Sequence, residues 1–205
     1  SISLNEQLFA RIKAVYDQRE SANLTGEQLQ LLQDIYNGFA RGGANLQGEQ
    51  KEKYRELSQK LSLLTLQFSE NCLKETNDYL KVITDSTLLS GLPESAITAA
   101  KETAQEKGVE GWAFTLHAPS YVPVMTYADN RALREEIWRA FSTQCLDGEF
   151  SNVENIKEII NTRLAIANLF GCKTYAEYAL RNRMAEKTEN VENLLNALIE
   201  AYTPA

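Results

Sequence analysis

A chain of 205 residues can bury about 70% of the surface that its unfolded form exposes, so a real core is attainable. With 43% hydrophobic and 24% charged residues, its composition is that of a folded globular protein and excludes a disordered one. The net charge of −7 disfavours attraction to phosphate backbones, so nucleic acid is not an expected partner. No apolar run nears the roughly 20 residues that cross a bilayer, and Ser1 to Gln7 lack the basic start and apolar stretch of a signal peptide. A membrane span is not expected, although a leader removed upstream would leave no trace.

Ser3-Leu4-Asn5-Glu6 has the capping-box pattern, Ser3 offering a hydroxyl to free helix amides and Glu6 reaching back. Leu8, Ile12, Val15 and Tyr16 follow at helical spacing, which predicts a first helix to about Ser21. Thr25 and Gln28 repeat the device; Leu32, Ile35, Tyr36 and Phe39 form the next stripe, and Gly42-Gly43 supplies a left-handed stop. These two helices read as an antiparallel hairpin. The sequon Asn23-Leu24-Thr25 between them is better explained as a helix boundary than as a glycosylation site, since nothing else supports a secretory context.

After Asn45-Leu46, the positions of Tyr54, Leu57, Leu61, Leu64 and Phe68 predict a long helix with a bundle-like seam, and Leu63, Leu66 and Leu73 widen its apolar surface. The pattern changes near Asn77-Asp78, and Tyr79 to Thr84 fits a short extended piece. Gly91-Leu92-Pro93 places Pro93 in the first turn of an Ala- and Glu-rich helix that stops at Gly108. Trp112, Phe114 and Leu116 alternate with smaller or polar residues, and Pro119 and Pro123 interrupt the run to Tyr127, so 112–127 reads as a short β-hairpin or extended segment. Helices follow from Asn130 to Thr143, from Ser151 to Phe170 with Gly171 as its stop, from Thr174 and near Thr188. The expected fold class is mainly α, a multi-helix bundle with that one β-like region. No repeat, low-complexity segment or flexible linker divides the chain.

Catalytic constellations are hard to assemble from these residues. A zinc hydrolase site needs three protein ligands, commonly two His and a carboxylate, and the chain has one histidine, His117. His117 alone could bind a substrate or move a proton, but beside an extended segment it reads first as a packing or hydrogen-bonding residue. A Ser-His-Asp or Cys-His site would need the same His117, and no G-x-S-x-G elbow is present. Neither G-x-G-x-x-G nor a P-loop occurs, so no phosphate cradle is expected. Cys72, Cys145 and Cys172 are widely spaced and form no CxxC, which predicts packed thiols and neither a disulfide framework nor a zinc finger. Arg131, Arg134 and Arg139 lie near Glu135 and Glu136 on one helix and are expected to form surface ion pairs. Tyr121, Val122, Pro123, Val124, Met125 and Tyr127 are the densest group of large side chains, read as core or interdomain packing before substrate contact.

Asn5-Glu6-Gln7-Leu8-Phe9, Gly43-Ala44-Asn45-Leu46, Leu61 to Asn71 and Gly91-Leu92-Pro93 carry a resemblance in order along the chain. Its densest part is Gly111-Trp112-Ala113-Phe114-Thr115-Leu116 running into Pro119 to Met125 and Asn130-Arg131. It continues through Asn161-Thr162-Arg163-Leu164 to Leu169-Phe170-Gly171-Cys172-Lys173-Thr174-Tyr175-Ala176-Glu177-Tyr178. The whole chain thus resembles the N-terminal half of the thimet oligopeptidase, oligopeptidase A and dipeptidyl carboxypeptidase family of zinc metallopeptidases, nearest the dipeptidyl carboxypeptidase branch. The resemblance implies a protein of two helical lobes around a deep channel that admits short peptides, with zinc held by an H-E-x-x-H helix and a later Glu. No position here matches that motif, so the expected catalytic, cofactor-binding and metal residues of this chain are none, and zinc is expected only in a longer parent.

Residues 1–205 are then expected to be the N-terminal helical lobe, with sub-parts 1–90 and 91–205, forming one wall of the substrate channel. Its expected partners are a C-terminal catalytic lobe of the same polypeptide and, for the parent, short peptide substrates. The stripe near Leu194, Leu195 and Leu198 ends a few residues before the chain does, which fits a continuing helix. Two other readings stand beside this one: a stand-alone helical interaction module presenting the long Leu-rich helix, and an independent enzyme built around His117. Endopeptidase against dipeptidyl carboxypeptidase activity, and cytoplasm against periplasm, stay open at the level of sequence.

Overall fold

The computed structural model describes residues 2–203, the side chain of Ser3 excepted. In chain order the α-helices are α1 (Glu6–Asp17), α2 (Gly26–Phe39), α3 (Gly48–Asp78), α4 (Glu94–Glu106), α5 (Ala118–Tyr127), α6 (Arg131–Ser142), α7 (Val153–Leu169), α8 (Tyr175–Leu180) and α9 (Thr188–Tyr202). Strand β1 (Lys81–Ile83) precedes α4 and strand β2 (Trp112–Phe114) follows it. The fold is mainly α, as the periodicity implies. The chain forms two compact units: residues up to Leu61 with those from Thr162 onward, and Ser62–Asn161. The limits fall within α3 and α7, not near residue 90, because local periodicity reports elements and not which distant ones share a core.

In the first unit, α1 begins one turn from Ser3. Asn5 is its cap, the side-chain oxygen accepting from Leu8 N at 3.1 Å, while Ile2–Leu4 form a 3-10 turn. Asn caps as well as Ser does, and this start puts the Glu6 carboxylate at the positive end of the helix dipole. The Thr25–Gln28 capping box is present in full, with bonds of 3.0 and 3.3 Å. Tyr16 and Phe9 of α1 stack on Tyr36 of α2 at 3.8 and 5.7 Å, which closes the expected hairpin. Gly43 stops the run after α2 at φ +86°, where an added Cβ would lie 2.6 Å from the Tyr54 ring. Ile166, Ala167, Cys172 and Tyr178 form a core packed by Tyr54, Leu57, Leu61, Phe170 and Tyr175. Thr174 caps α8, accepting from Glu177 N at 3.2 Å.

In the second unit, β1 and β2 pair antiparallel with Val82 opposite Ala113. They are joined through α4, so they are not a hairpin in sequence. Gly111 leads into β2 at φ +102°, and an added Cβ would approach the Ile83 carbonyl oxygen to 2.2 Å; only glycine fits this close pass. Pro93 stands at the cap position of α4, one place before the expected first turn, and its carbonyl accepts from Ala96 N and Ile97 N. Ile83, Phe114, Leu116, Val124, Leu133 and Ile137 lie in one core.

The extended segment expected over 112–127 is shorter than that, because 118–127 is helical. Pro119 sits in the first turn, where its missing N–H has no intrahelical partner to lose, and Pro123 forfeits a single bond in a short helix. Burial offsets that loss: Val124 is fully buried and Tyr121 stacks on Phe141 of α6 at 4.3 Å. Asn130 caps α6 as expected, accepting from Leu133 N at 3.0 Å.

Ile137 is 0% exposed and its neighbour Trp138 is 47% exposed. Ile137→Ala is expected to lower stability by about 2–5 kcal/mol in urea unfolding followed by circular dichroism, through lost burial and a residual cavity. Trp138→Ala is expected to change it by about 0.5 kcal/mol or less in the same measurement.

Candidate functional site

His117 precedes α5, and its carbonyl accepts from Ser120 N and Tyr121 N, both at 2.9 Å. Its ring is exposed, with Nε2 3.1 Å from Asn77 Oδ1 at the end of α3. Ser120 Oγ accepts from Thr115 N at 3.0 Å, which holds the turn into the helix. The two side chains border a cavity of about 160 Å³ whose other walls include Ala96, Ala100, Thr103 and Phe114. His117 meets an amide and Ser120 Oγ meets the backbone, and among the described residues no hydrogen bond joins His117 to a hydroxyl or thiol. This is the arrangement of a helix entry fixed in place.

The large side chains of 121–127 divide between two roles. Val124 and Tyr121 pack inward, while Val122 and Tyr127 are 52% and 55% exposed. Met125 borders a cavity of about 350 Å³ with Arg131, Arg134, Glu135 and Trp138. The ion pairs expected within α6 form only in part. Arg139 pairs with Glu135 at 2.9 Å, but Glu136 reaches off its helix to Lys81 of β1 at 2.7 Å, and Arg134 donates to the Ala128 carbonyl. Glu136 finds a distant strand residue and Arg134 the backbone just ahead of its own helix, partners that spacing within α6 could not reveal.

A buried amide cluster escaped sequence reasoning altogether. Asn152 Oδ1 accepts from Asn71 Nδ2 at 3.0 Å and from Asn155 Nδ2 at 3.2 Å, while Asn152 Nδ2 donates to the Phe68 carbonyl at 3.1 Å. Asn155 Nδ2 also donates to the Leu64 carbonyl at 3.0 Å. The only sequence signal was an Asn next to the Ser151 helix start, and several such residues occur on polar faces. Asn152→Ala is expected to cost about 1–3 kcal/mol in urea unfolding, because Asn71 and Asn155 each lose a buried partner.

Large apolar residues are left outside both cores. In the Ser62–Asn161 unit, Leu63, Leu66 and Leu73 of α3 are 61%, 56% and 58% exposed. In the other unit, α9 has no buried residue, and Leu194, Leu195, Leu198, Ile199 and Tyr202 line one face of it in the open. Patches of this kind mark surfaces that another molecule or segment covers. No helix among the described residues is long and apolar enough to cross a membrane.

The chain has one histidine, and among the described residues no group of three or more His, Cys, Asp or Glu is placed to hold a metal. The model of Peptidase family M3 matches residues 124–205. Oligopeptidase A of Haemophilus influenzae is 36% identical over 99% of this chain, and oligopeptidase A of Escherichia coli is 36% identical over the same share. This chain is a relative of the M3 peptidases. Dipeptidyl carboxypeptidase of Escherichia coli is 30% identical over 98% of the chain. The oligopeptidase A branch is therefore nearer than the dipeptidyl carboxypeptidase branch by overall identity, which corrects the branch read from the motifs. The chain spans about 30% of the length of each of these M3 relatives.

Three of the residue groups quoted for the resemblance acquire structural reasons in this light. Gly111 permits the pass beside Ile83, Pro119 opens α5, and Thr174 caps α8. All three hold the fold. His117→Ala is expected to leave the far-ultraviolet circular dichroism unchanged and to shift the melting temperature only slightly, since it removes a single exposed bond to Asn77.

Proposed function

We propose that this chain is the N-terminal helical lobe of a longer zinc metallopeptidase that hydrolyses short oligopeptides, and that it forms one wall of the channel through which they enter. The observation that carries the reading is the likeness to oligopeptidase A over 99% of the chain but about 30% of that protein. In this reading the metal ligands and the water-activating carboxylate come from the part of the protein beyond this segment, and the segment contributes shape. The open apolar faces of α3 and α9 support it, since a channel wall needs a neighbouring lobe to seat against. The nearer oligopeptidase A branch favours internal cleavage of oligopeptides over the release of C-terminal dipeptides.

A second reading, a stand-alone helical interaction module, draws on the same exposed α9 face. The sequence of the gene beyond the codon for Ala205 separates the two. An in-frame H-E-x-x-H with a later Glu at ligand spacing is the result expected of the peptidase, and a stop codon would favour the module. The purified chain is expected to give no zinc-dependent hydrolysis of short fluorogenic peptides; clear turnover that a chelator abolishes would overturn the proposal.

A further inference from the structure

Cys72 lies on α3 and Cys145 on the connection between α6 and α7, with the two sulfurs 3.8 Å apart and both thiols free. Their approach is fixed from both sides of Cys145. Cys145 N donates to Glu75 Oε2 at 2.5 Å, the Cys145 carbonyl accepts from Asn152 N at 2.8 Å, and Gln144 Nε2 donates to Thr76 Oγ1 at 2.8 Å. Asn152 Nδ2 stands 3.5 Å from Cys72 Sγ. The backbone at Cys145 has φ +58°, a conformation that a residue with a side chain adopts only when its surroundings hold it there. Packing alone asks for no such convergence, because a buried cysteine serves as a small apolar residue wherever it lies.

We propose that Cys72 and Cys145 form a thiol pair that closes to an intramolecular disulfide when the protein meets a hydroperoxide. Cys145 is buried, and burial together with the Glu75 carboxylate pushes its thiol up to about 12, so it stays protonated at neutral pH. Cys72 is half-buried, the less enclosed residue of the pair, and in this proposal it meets the oxidant first. Cys72 gives up its proton and its sulfur attacks the peroxide oxygen; the O–O bond breaks, and the departing hydroxide takes the proton to leave as water. The Glu75 carboxylate takes the Cys145 proton as the Cys145 sulfur attacks the Cys72 sulfenic acid; the S–S bond forms as the S–O bond breaks, and the departing hydroxide takes that proton from Glu75 and leaves as a second water. Two thiols are oxidised and one hydroperoxide is reduced. Closure brings the two sulfurs from 3.8 Å to a bond of about 2.05 Å.

The test is peptide mapping of the full chain after mild treatment with hydrogen peroxide, with remaining thiols alkylated under denaturing conditions and no reductant added. The expected product is a monomer in which the Cys72 and Cys145 peptides are joined with the loss of two hydrogens, while the buried Cys172 is alkylated. Cys172→Ser is expected to give the same cross-link in the same yield. Cys145→Ser is expected to leave Cys72 as sulfenic or sulfinic acid; should that variant not fold, the map of the unsubstituted chain decides alone. Recovery of Cys72 and Cys145 as separately alkylated peptides, over-oxidation of Cys72 without a cross-link, or disulfides only between chains would each overturn the proposal.

Discussion

The amide of Asn152 is the contact on which the Ser62–Asn161 unit depends. Its oxygen accepts two hydrogen bonds and its nitrogen donates to a helix carbonyl, all while 1% exposed. A carbonyl within a helix has a second lone pair after its own i+4 bond is made, and Phe68 and Leu64 of α3 offer theirs to Asn152 and Asn155. The start of α7 is thereby joined to α3 by directional bonds at a fixed register, where an apolar contact would tolerate sliding. The same residue donates its backbone N–H to the Cys145 carbonyl, so the connection that precedes α7 is set by the same anchor.

Sequence reasoning succeeded where a local rule had little competition. The ends of α3 and α4, the stop at Gly43, the Thr25 box and the caps at Asn130 and Thr174 each follow from residues within four positions of one another. It failed at Ser3 because Asn5, two residues on, is an equally good cap, and at 118–127 because prolines count against a helix until Val124 and Tyr121 are known to be buried against α6. The partners of Glu136, the amide cluster and the Cys72–Cys145 approach lay beyond reach for a different reason. Each joins residues more than 50 positions apart, and no spacing rule within one helix reports on them.

The polar groups that might have done chemistry are largely engaged in holding structure. His117 meets Asn77, Ser120 serves Thr115, Arg134 serves the Ala128 carbonyl and Glu136 serves Lys81. Several large apolar side chains, by contrast, lie outside either core. Exposed ion pairs contribute about 0–1 kcal/mol each, whereas burying one Leu or Ile side chain in full is worth about 1.5–3 kcal/mol. On α9, the leucines at 194, 195 and 198 with Ile199 fall on one face at spacings of one, three and four residues, and none is counted in a core. A surface with several such side chains offers far more free energy to a covering segment than its charges do. The free energy that this chain offers to another surface therefore lies in its apolar helix faces more than in its charges.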